Sequence, residues 1–194
     1  MSNSLVLEGQ FVRLRRLQPT DAKTTFDWRS AQRAKYLNQG SSTVEDQIAW
    51  IASRPASEIN FIIELSNTKA IGMLSLVGID KINRHAESGR FLIGEEEAAK
   101  GIPAAVEAMK LLYEFAFEEL KLERIFGTVA QSNHLMIKWQ KYLGMKQEGQ
   151  LRRHYFIDGE WQDAICLGLL ADEYRTQSLP RMNALIAAAH RNRT

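Results

Sequence analysis

The sequence predicts one α/β (α+β) domain, a single mixed, mostly antiparallel sheet of six to seven strands flanked by helices. Three observations carry this. Residues 60–65, 70–79 and 85–93 are strand-like runs joined by short loops, which reads as an antiparallel meander. The runs 85–93 and 124–130 flank a long amphipathic helix, and strand, helix, strand implies a crossover with a parallel neighbour. Residues 145–157 and 160–170 flank Asp158-Gly159, a two-residue hairpin signal. A chain of 194 residues can bury a real core, and 45% hydrophobic residues exclude a disordered chain.

In chain order, residues 10–17 alternate, with Phe11, Arg13 and Arg15 on one face and Val12 and Leu14 on the other, as in a half-buried strand. Gln18-Pro19-Thr20-Asp21 turns into a helix that carries Phe26, Trp28 and Arg29, with Thr20 as the expected cap. A short helical piece brings Tyr36, and Thr43-Val44-Glu45-Asp46 resembles a capping box for a helix with Ile48 and Ile51 inward. The central helix shows Val106, Met109, Tyr113, Ala116, Phe117 and Leu120 at spacings of three and four, one apolar stripe for a sheet. Ser132-Asn133 caps the next helix, which ends at Leu143-Gly144, a left-handed C-cap. A last helix, residues 179–190, is expected to be capped by Ser178. No repeat or linker divides the chain, so residues 1–175 are expected to form the domain and residues 176–194 a helical appendage. Its tail, His190-Arg191-Asn192-Arg193, is basic enough to complement a helix C-terminus.

Composition removes several function classes. A net charge of +2, from 25 basic and 23 acidic residues, gives no electrostatic case for nucleic acid as a partner. One cysteine, Cys166, excludes an intrachain disulfide and a cysteine-based zinc cluster, and the four histidines lack metal-ligand spacing, so no metal is expected. No run approaches the ~20 apolar residues of a membrane span. The opening residues lack the basic region and apolar run of a signal peptide. A cytoplasmic protein is the expectation.

The stretch 85–120 reads as a strand, a small-residue turn (Lys100-Gly101-Ile102-Pro103-Ala104-Ala105) and a helix N-terminus. Free N–H groups and the positive end of a helix dipole suit a phosphate or pyrophosphate. An ordinary connection would have the same local sequence.

The order of these elements and four passages resemble the GNAT acetyltransferase superfamily, and more closely its branch of ribosomal-protein N-terminal and nucleotide-linked amino-sugar N-acetyltransferases. The passages are Phe11-Val12-Arg13-Leu14-Arg15 with Asp21-Ala22; residues 86–94; residues 113–120 with Glu123-Arg124-Ile125; and Ser132-Asn133 through Leu143-Gly144-Met145, then Glu148-Gly149 and Phe156-Ile157-Asp158-Gly159. The resemblance covers roughly residues 11–174. It implies a GNAT fold with a splayed pair of strands that admits acetyl-CoA as acyl donor. It also puts the pyrophosphate turn at Lys100, Gly101, Ile102, Pro103, Ala104 and Ala105. Pro103 stands where the family has glycine and offers no N–H, though it fits a first helical turn.

Acetyl transfer to an amine requires that the amine lose a proton and that an oxyanion be stabilised, and the departing thiolate can be given a proton. The resemblance makes Glu87 the candidate base, on a strand where partial burial would raise its pKa. The alternative is a structural acid pairing with Arg90 or Arg84. The oxyanion donor is expected from backbone N–H groups around Leu92 or Ile93. Asn133 would bond the pantetheine arm or cap its own helix. Gln140 occupies the position where the family has an acidic tyrosine, and an amide cannot donate as an acid.

For the acceptor, Trp28, Arg29 and Tyr36 are candidates at the mouth of the site. An indole suits a ring and an arginine a diphosphate. Core packing with a surface ion pair is the competing reading. Arg152, Arg153, His154 and Tyr155 form either a solvated edge strand or an anionic-substrate wall.

The expected activity is therefore acetylation of a primary amine on a small molecule, with a nucleotide-linked amino sugar preferred. A ribosomal-protein-type N-terminal acetyltransferase, and an acyl-CoA-binding protein without efficient catalysis, are the alternatives. Partners are a small-molecule or peptide amine, with a monomer or homodimer expected. The last helix packs on its own domain or on a partner chain.

Overall fold

The protein is described by a computed structural model over residues 5–38 and 40–191. The expected basic tail reaches Asn192 and Arg193, which lie outside the described residues, as do residues 1–4 at the start of the expected domain.

Alternation sets the first strands. Val12 and Leu14 of β2 (Val12–Arg16) are buried, while Arg13 and Arg15 face the other way. β3 (Ile59–Leu65) pairs antiparallel with β2 and with β4 (Ala70–Asp80), and β4 pairs antiparallel with β5 (His85–Ile93). β5 then pairs parallel with β6 (Arg124–Ala130), the crossover that the sequence implied. β7 (Lys146–Ile157) and β8 (Glu160–Leu170) form the hairpin, turning at Asp158 (φ 52°) and Gly159 (φ 82°). β8 inserts between β6 and β7. The sheet holds eight strands, in the order β1-β2-β3-β4-β5-β6-β8-β7. The additional strand is β1 (Val6–Glu8), three residues without a β pattern that pair with β2 once Gly9 turns the chain.

Helices cover both faces. On one lie α1 (Ala22–Ser30) and α2 (Val44–Ala52). Thr43 caps α2 as expected, accepting from the Asp46 N–H at 3.0 Å. The inward face of α2 differs from the apolar pattern. Ile51 is buried, but Ile48 is 43% exposed and Gln47 takes the inner position. Gln47 donates to Thr25 of α1 and accepts from Ser41, so a hydrogen-bonded contact fixes the helix where apolar periodicity suggested Ile48. Thr20 is not a cap, because a 3₁₀ turn over Pro19–Asp21 precedes α1 and the Asp21 carboxylate receives the Gln18 N–H and Arg15.

On the other face lie the one-turn α3 (Glu96–Ala99), α4 (Ala104–Glu114) and α5 (His134–Tyr142). α4 continues through a π-helical turn, Phe115–Glu119, that brings Phe115, Ala116 and Phe117 all into the core. Phe61 and Phe117 are fully buried, each contributing roughly 1.5–3 kcal/mol. Glu107 of α4, 4% exposed, accepts the main-chain N–H groups of Gln10, Phe11 and Val12 at 2.7–2.8 Å and so ties β2 to the helix.

The chain ends in α6 (Ala171–Glu173), a second π turn and α7 (Leu179–Arg191). Ser178 lies inside this run, buried, and does not cap α7. Met182 and Ile186 are buried and Leu185 is half-buried, with Met182 in the main core. The apolar stripe of α7 is thus covered within this chain. No helix among the described residues is long and apolar enough to cross a membrane.

Candidate functional site

The site is organised by the way β5 leaves β6. The two strands pair only at His85↔Arg124, Ala86↔Ile125 and Glu87↔Phe126. Gly127 marks the parting, since a Cβ there would lie 3.2 Å from the Ser88 carbonyl oxygen. Against β4, β5 carries a bulge between the pairs Ser75↔Gly89 and Met73↔Leu92. Arg90 sits in this bulge with φ 54°, a left-handed conformation that non-glycine residues rarely adopt outside such features.

Beyond the parting a cleft of about 610 Å³ opens, lined by Phe91, Leu92 and Ile93 of β5, Asn133, Met136 and Trp139 around α5, and Arg33 and Tyr36 opposite. Phe91 and Trp139 stack at 4.9 Å between ring centroids. Leu92 and Ile93 both line this cleft. Asn133 lines it and also caps α5, accepting from the Met136 N–H at 3.3 Å. Tyr36 lines it with its hydroxyl 3.5 Å from the Ser132 carbonyl.

Other expected residues stand elsewhere. Lys100 to Ala105 do not line this cleft; they follow it one short helix further along the chain. Gly101 is left-handed (φ 76°), Pro103 occupies the N-cap of α4, and the Ile102 N–H is already given to the Ala99 carbonyl. The free donors of this turn are therefore fewer than the sequence suggested. Lys100 is exposed and lies 3.8 Å from Glu97. Gln140 is buried, its carbonyl accepting from the Tyr113 hydroxyl at 3.2 Å and its amide resting on the Met136 sulfur. Trp28 is 5% exposed, donates to Glu95 at 2.9 Å and packs against Gly94. It packs in the core and offers no open ring face.

Glu87 is half-buried and forms no ion pair or side-chain hydrogen bond among the described residues. Burial pushes its carboxyl above the ordinary value, against the opposing pull of Arg90 and His154. Arg90 donates to Glu58 and Asn60, each at 3.1 Å, and lies over the Trp50 ring. Tyr155 reaches the same side. Its hydroxyl shares a 2.6 Å hydrogen bond with Thr128 Oγ1, and burial raises its pKa, reinforced by Glu87. A wide bulge aims this part of β7. Residues 152–154 stand opposite Asp163 alone, and Asp163 accepts the Arg153 N–H at 2.8 Å. Sequence reasoning missed Phe91, Trp139 and Glu58. Nothing in the sequence marks Trp139 as cleft lining, and no local signal marks a bulge at Arg90. No group of metal-ligating side chains occurs among the described residues.

Comparison with known proteins accords with this geometry. The family model described as "Acetyltransferase (GNAT) domain" matches residues 12–146, well over half of the chain. The chain is 32% identical over 118 residues to spermidine N(1)-acetyltransferase of Escherichia coli (strain K12), a match that covers 61% of each protein. It is 35% identical over 103 residues to the putative ribosomal N-acetyltransferase YdaF of Bacillus subtilis (strain 168), covering 53% of this chain and 55% of that protein. The chain thus matches less than two thirds of the length of either relative. In fold it is similar to spermidine N-acetyltransferase from Vibrio cholerae, solved in complex with CoA and spermine. There the TM-score is 0.78 with 22% identity, over 87% of this chain and all of that one.

Proposed function

The chain belongs to the GNAT acetyltransferase family, and from that premise we propose that it moves an acetyl group from acetyl-CoA to the primary amine of a small molecule. The observation that carries this reading is the parting of β5 from β6 just past a half-buried Glu87 that lacks a fixed partner.

The residues present fit acetyl-CoA. An open seam between two strands leaves main-chain groups of β5 without a partner on β6, and the lining of Phe91, Leu92, Ile93, Met136 and Trp139 suits a narrow, largely apolar arm. Lys100 and the amides of Gly101, Ala104 and Ala105 are the groups we assign to its phosphates. Acetyl-CoA, when bound, supplies the activated acyl group. Glu87 takes the proton of the acceptor ammonium, directly or through one water, and its raised affinity for a proton brings it closer to working pH. Main-chain N–H groups near Leu92 and Ile93 are the donors for the carbonyl oxygen. Gln140 gives no proton, and Tyr155 with Tyr36 bounds the acceptor.

The sequence-based preference within this class is a nucleotide-linked amino sugar. A polyamine is the second reading, favoured by the names of the spermidine-acetylating relatives. A thiol-release assay with acetyl-CoA over an amine panel (a nucleotide-linked amino sugar, spermidine, and peptides with a free N-terminus) tests the proposal. Turnover of a small amine is expected. CoA binding without turnover of any amine would leave a binding protein, and turnover of peptides alone would make this an N-terminal acetyltransferase.

A further inference from the structure

The face that β5 presents changes partway along the strand. Ala86 belongs to the main core beneath α4, so strict alternation would put Phe91 and Ile93 on the opposite face, with Glu87. Phe91 and Ile93 pack instead against the main core, and Leu92 joins Trp28 of α1 in a second, smaller cluster. The bulge causes the change. Between Gly89, opposite Ser75, and Leu92, opposite Met73, β5 places Arg90 and Phe91 where β4 has Leu74 alone. One inserted residue turns every later side chain over. The stack of Phe91 on Trp139 and the cleft lining of Phe91 and Ile93 therefore depend on the bulge. So does the choice of which β5 amides beyond it face β6.

The conformation that makes the bulge falls on Arg90, at φ 54°. Among the described residues, Thr68, Arg84, Lys121 and Asp158 also have positive φ, but they lie between elements; Arg153 lies in the β7 bulge. Glycine adopts this conformation freely, and a residue with a Cβ does not. The Arg90 side chain is what ties the backbone down. It reaches across β4, where Nη1 donates to Asn60 Oδ1 and Glu58 Oε2 at 3.1 Å each, and Nη2 lies 3.5 Å from Glu58 Oε1. Both acceptors are themselves fixed. Asn60 is 7% exposed and also accepts from Ser75 Oγ at 2.6 Å, and Glu58 pairs with Arg54 at 3.6 Å. Trp50 of α2 packs against both guanidiniums, 4.3 Å from Arg54 and 5.2 Å from Arg90.

We infer that Arg90 is a positioning residue for acyl transfer: anchored on Glu58 and Asn60, its side chain holds β5 in the left-handed turn that aims Phe91, Ile93 and the amides beyond the bulge into the seam. This rests on the acetyl-transfer reading above. Arg90 acts through the backbone it holds, without contact with the reacting atoms. The conformation, and not the positive charge, is what the site needs from this position.

Arg90→Gly against Arg90→Ala tests this. The two delete the same charge and the same hydrogen bonds, and they differ in tolerance of positive φ. At saturating acetyl-CoA, Arg90→Gly should keep kcat about tenfold above that of Arg90→Ala, and in calorimetry it should bind CoA more tightly. An arginine that served only stability, or that acted on Glu87 by its charge, would give the two variants the same kcat. Glu58→Gln is the second arm. It weakens the anchor, so it should lower kcat in the parent and add no loss in Arg90→Gly. The third arm needs no turnover. Hydrogen exchange of the amides of residues 88–93 should be slower in Arg90→Gly than in Arg90→Ala, the reverse of the order that glycine's own flexibility would give. Equal kcat in the two variants, an additive loss with Glu58→Gln, or exchange no slower in Arg90→Gly overturns the inference. A parent that acetylates no amine would instead sink the acetyl-transfer reading, and the exchange measurement would then decide on the anchor by itself.

Discussion

The two faces of the sheet treat buried charge in opposite ways. Beneath α4, Glu107 is almost wholly buried, and its two oxygens receive three main-chain N–H groups. Both of its oxygens are thus committed to holding β2. Beneath α1 and α2 the arrangement is mixed. Glu64 is answered by Arg13 and Arg15, at 2.8 and 2.6 Å. Elsewhere on the same face, Glu87 has no fixed partner, and Arg29 has a buried nitrogen with none. Burial by itself therefore does not mark a functional group in this protein; unfilled capacity does. One face carries the stability of the fold, and the other keeps charges available.

That contrast can be broken from either side. The largest expected effect is kinetic. Glu87→Gln should lower kcat by about 10²- to 10⁴-fold, the usual scale for losing a general base, while acetyl-CoA binding by calorimetry and the melting temperature are maintained. A Glu87→Gln protein that unfolds would place Glu87 with Glu107 as a structural acid. Glu107→Ala should do the reverse. Stripping the acceptor from three main-chain N–H groups, that of Val12 buried, should cost on the order of 3 kcal/mol in urea unfolding, and a loss below about 1 kcal/mol would remove the contrast. Gly94→Ala is intermediate. A Cβ there would lie 2.3 Å from the Trp28 ring, and the forced repacking should cost roughly 1–3 kcal/mol in thermal stability. The smallest change is Tyr155→Phe. Loss of the hydrogen bond to Thr128 should cost about 1 kcal/mol, with kcat reduced by less than about tenfold; a drop as large as that of Glu87→Gln would give Tyr155 a part in proton transfer.

The fold was largely legible from the sequence because its signals are periodic and local. The Asp158-Gly159 turn, the cap at Thr43 and the stripe containing Met109, Tyr113 and Phe117 each announce an element without tertiary help. The misses have tertiary causes. β1 exists only because β2 offers it an edge. Ile48 turns outward because Gln47 finds Thr25 and Ser41. Ser178 reads as a cap in isolation, yet it falls inside a helix interrupted by a π turn. The site was legible only in part. Leu92, Ile93, Asn133 and Tyr36, singled out through the family resemblance, line one cleft. Trp28 is consumed by Gly94 and Glu95, and Gln140 by Tyr113, contacts between residues far apart in sequence. The orphan nitrogen of Arg29 is invisible to any pattern, because it is defined by what fails to approach it.

The central claim, that Glu87 is a proton acceptor and not a structural acid, is tested most directly by the pH dependence of kcat/KM in the parent and in Glu87→Gln. Burial raises the Glu87 carboxyl above its ordinary 4.5. Between that value and its folded-state pKa, the folded protein holds the proton more tightly than the unfolded chain. Stability from this group is therefore present at low pH and lost as pH rises through the folded-state pKa. Activity moves the opposite way, because only the carboxylate accepts a proton. The account predicts an acid limb in the parent with its inflection above the ordinary carboxylate range, and no such limb in Glu87→Gln. The same limb in both proteins, at comparable rates, would contradict it.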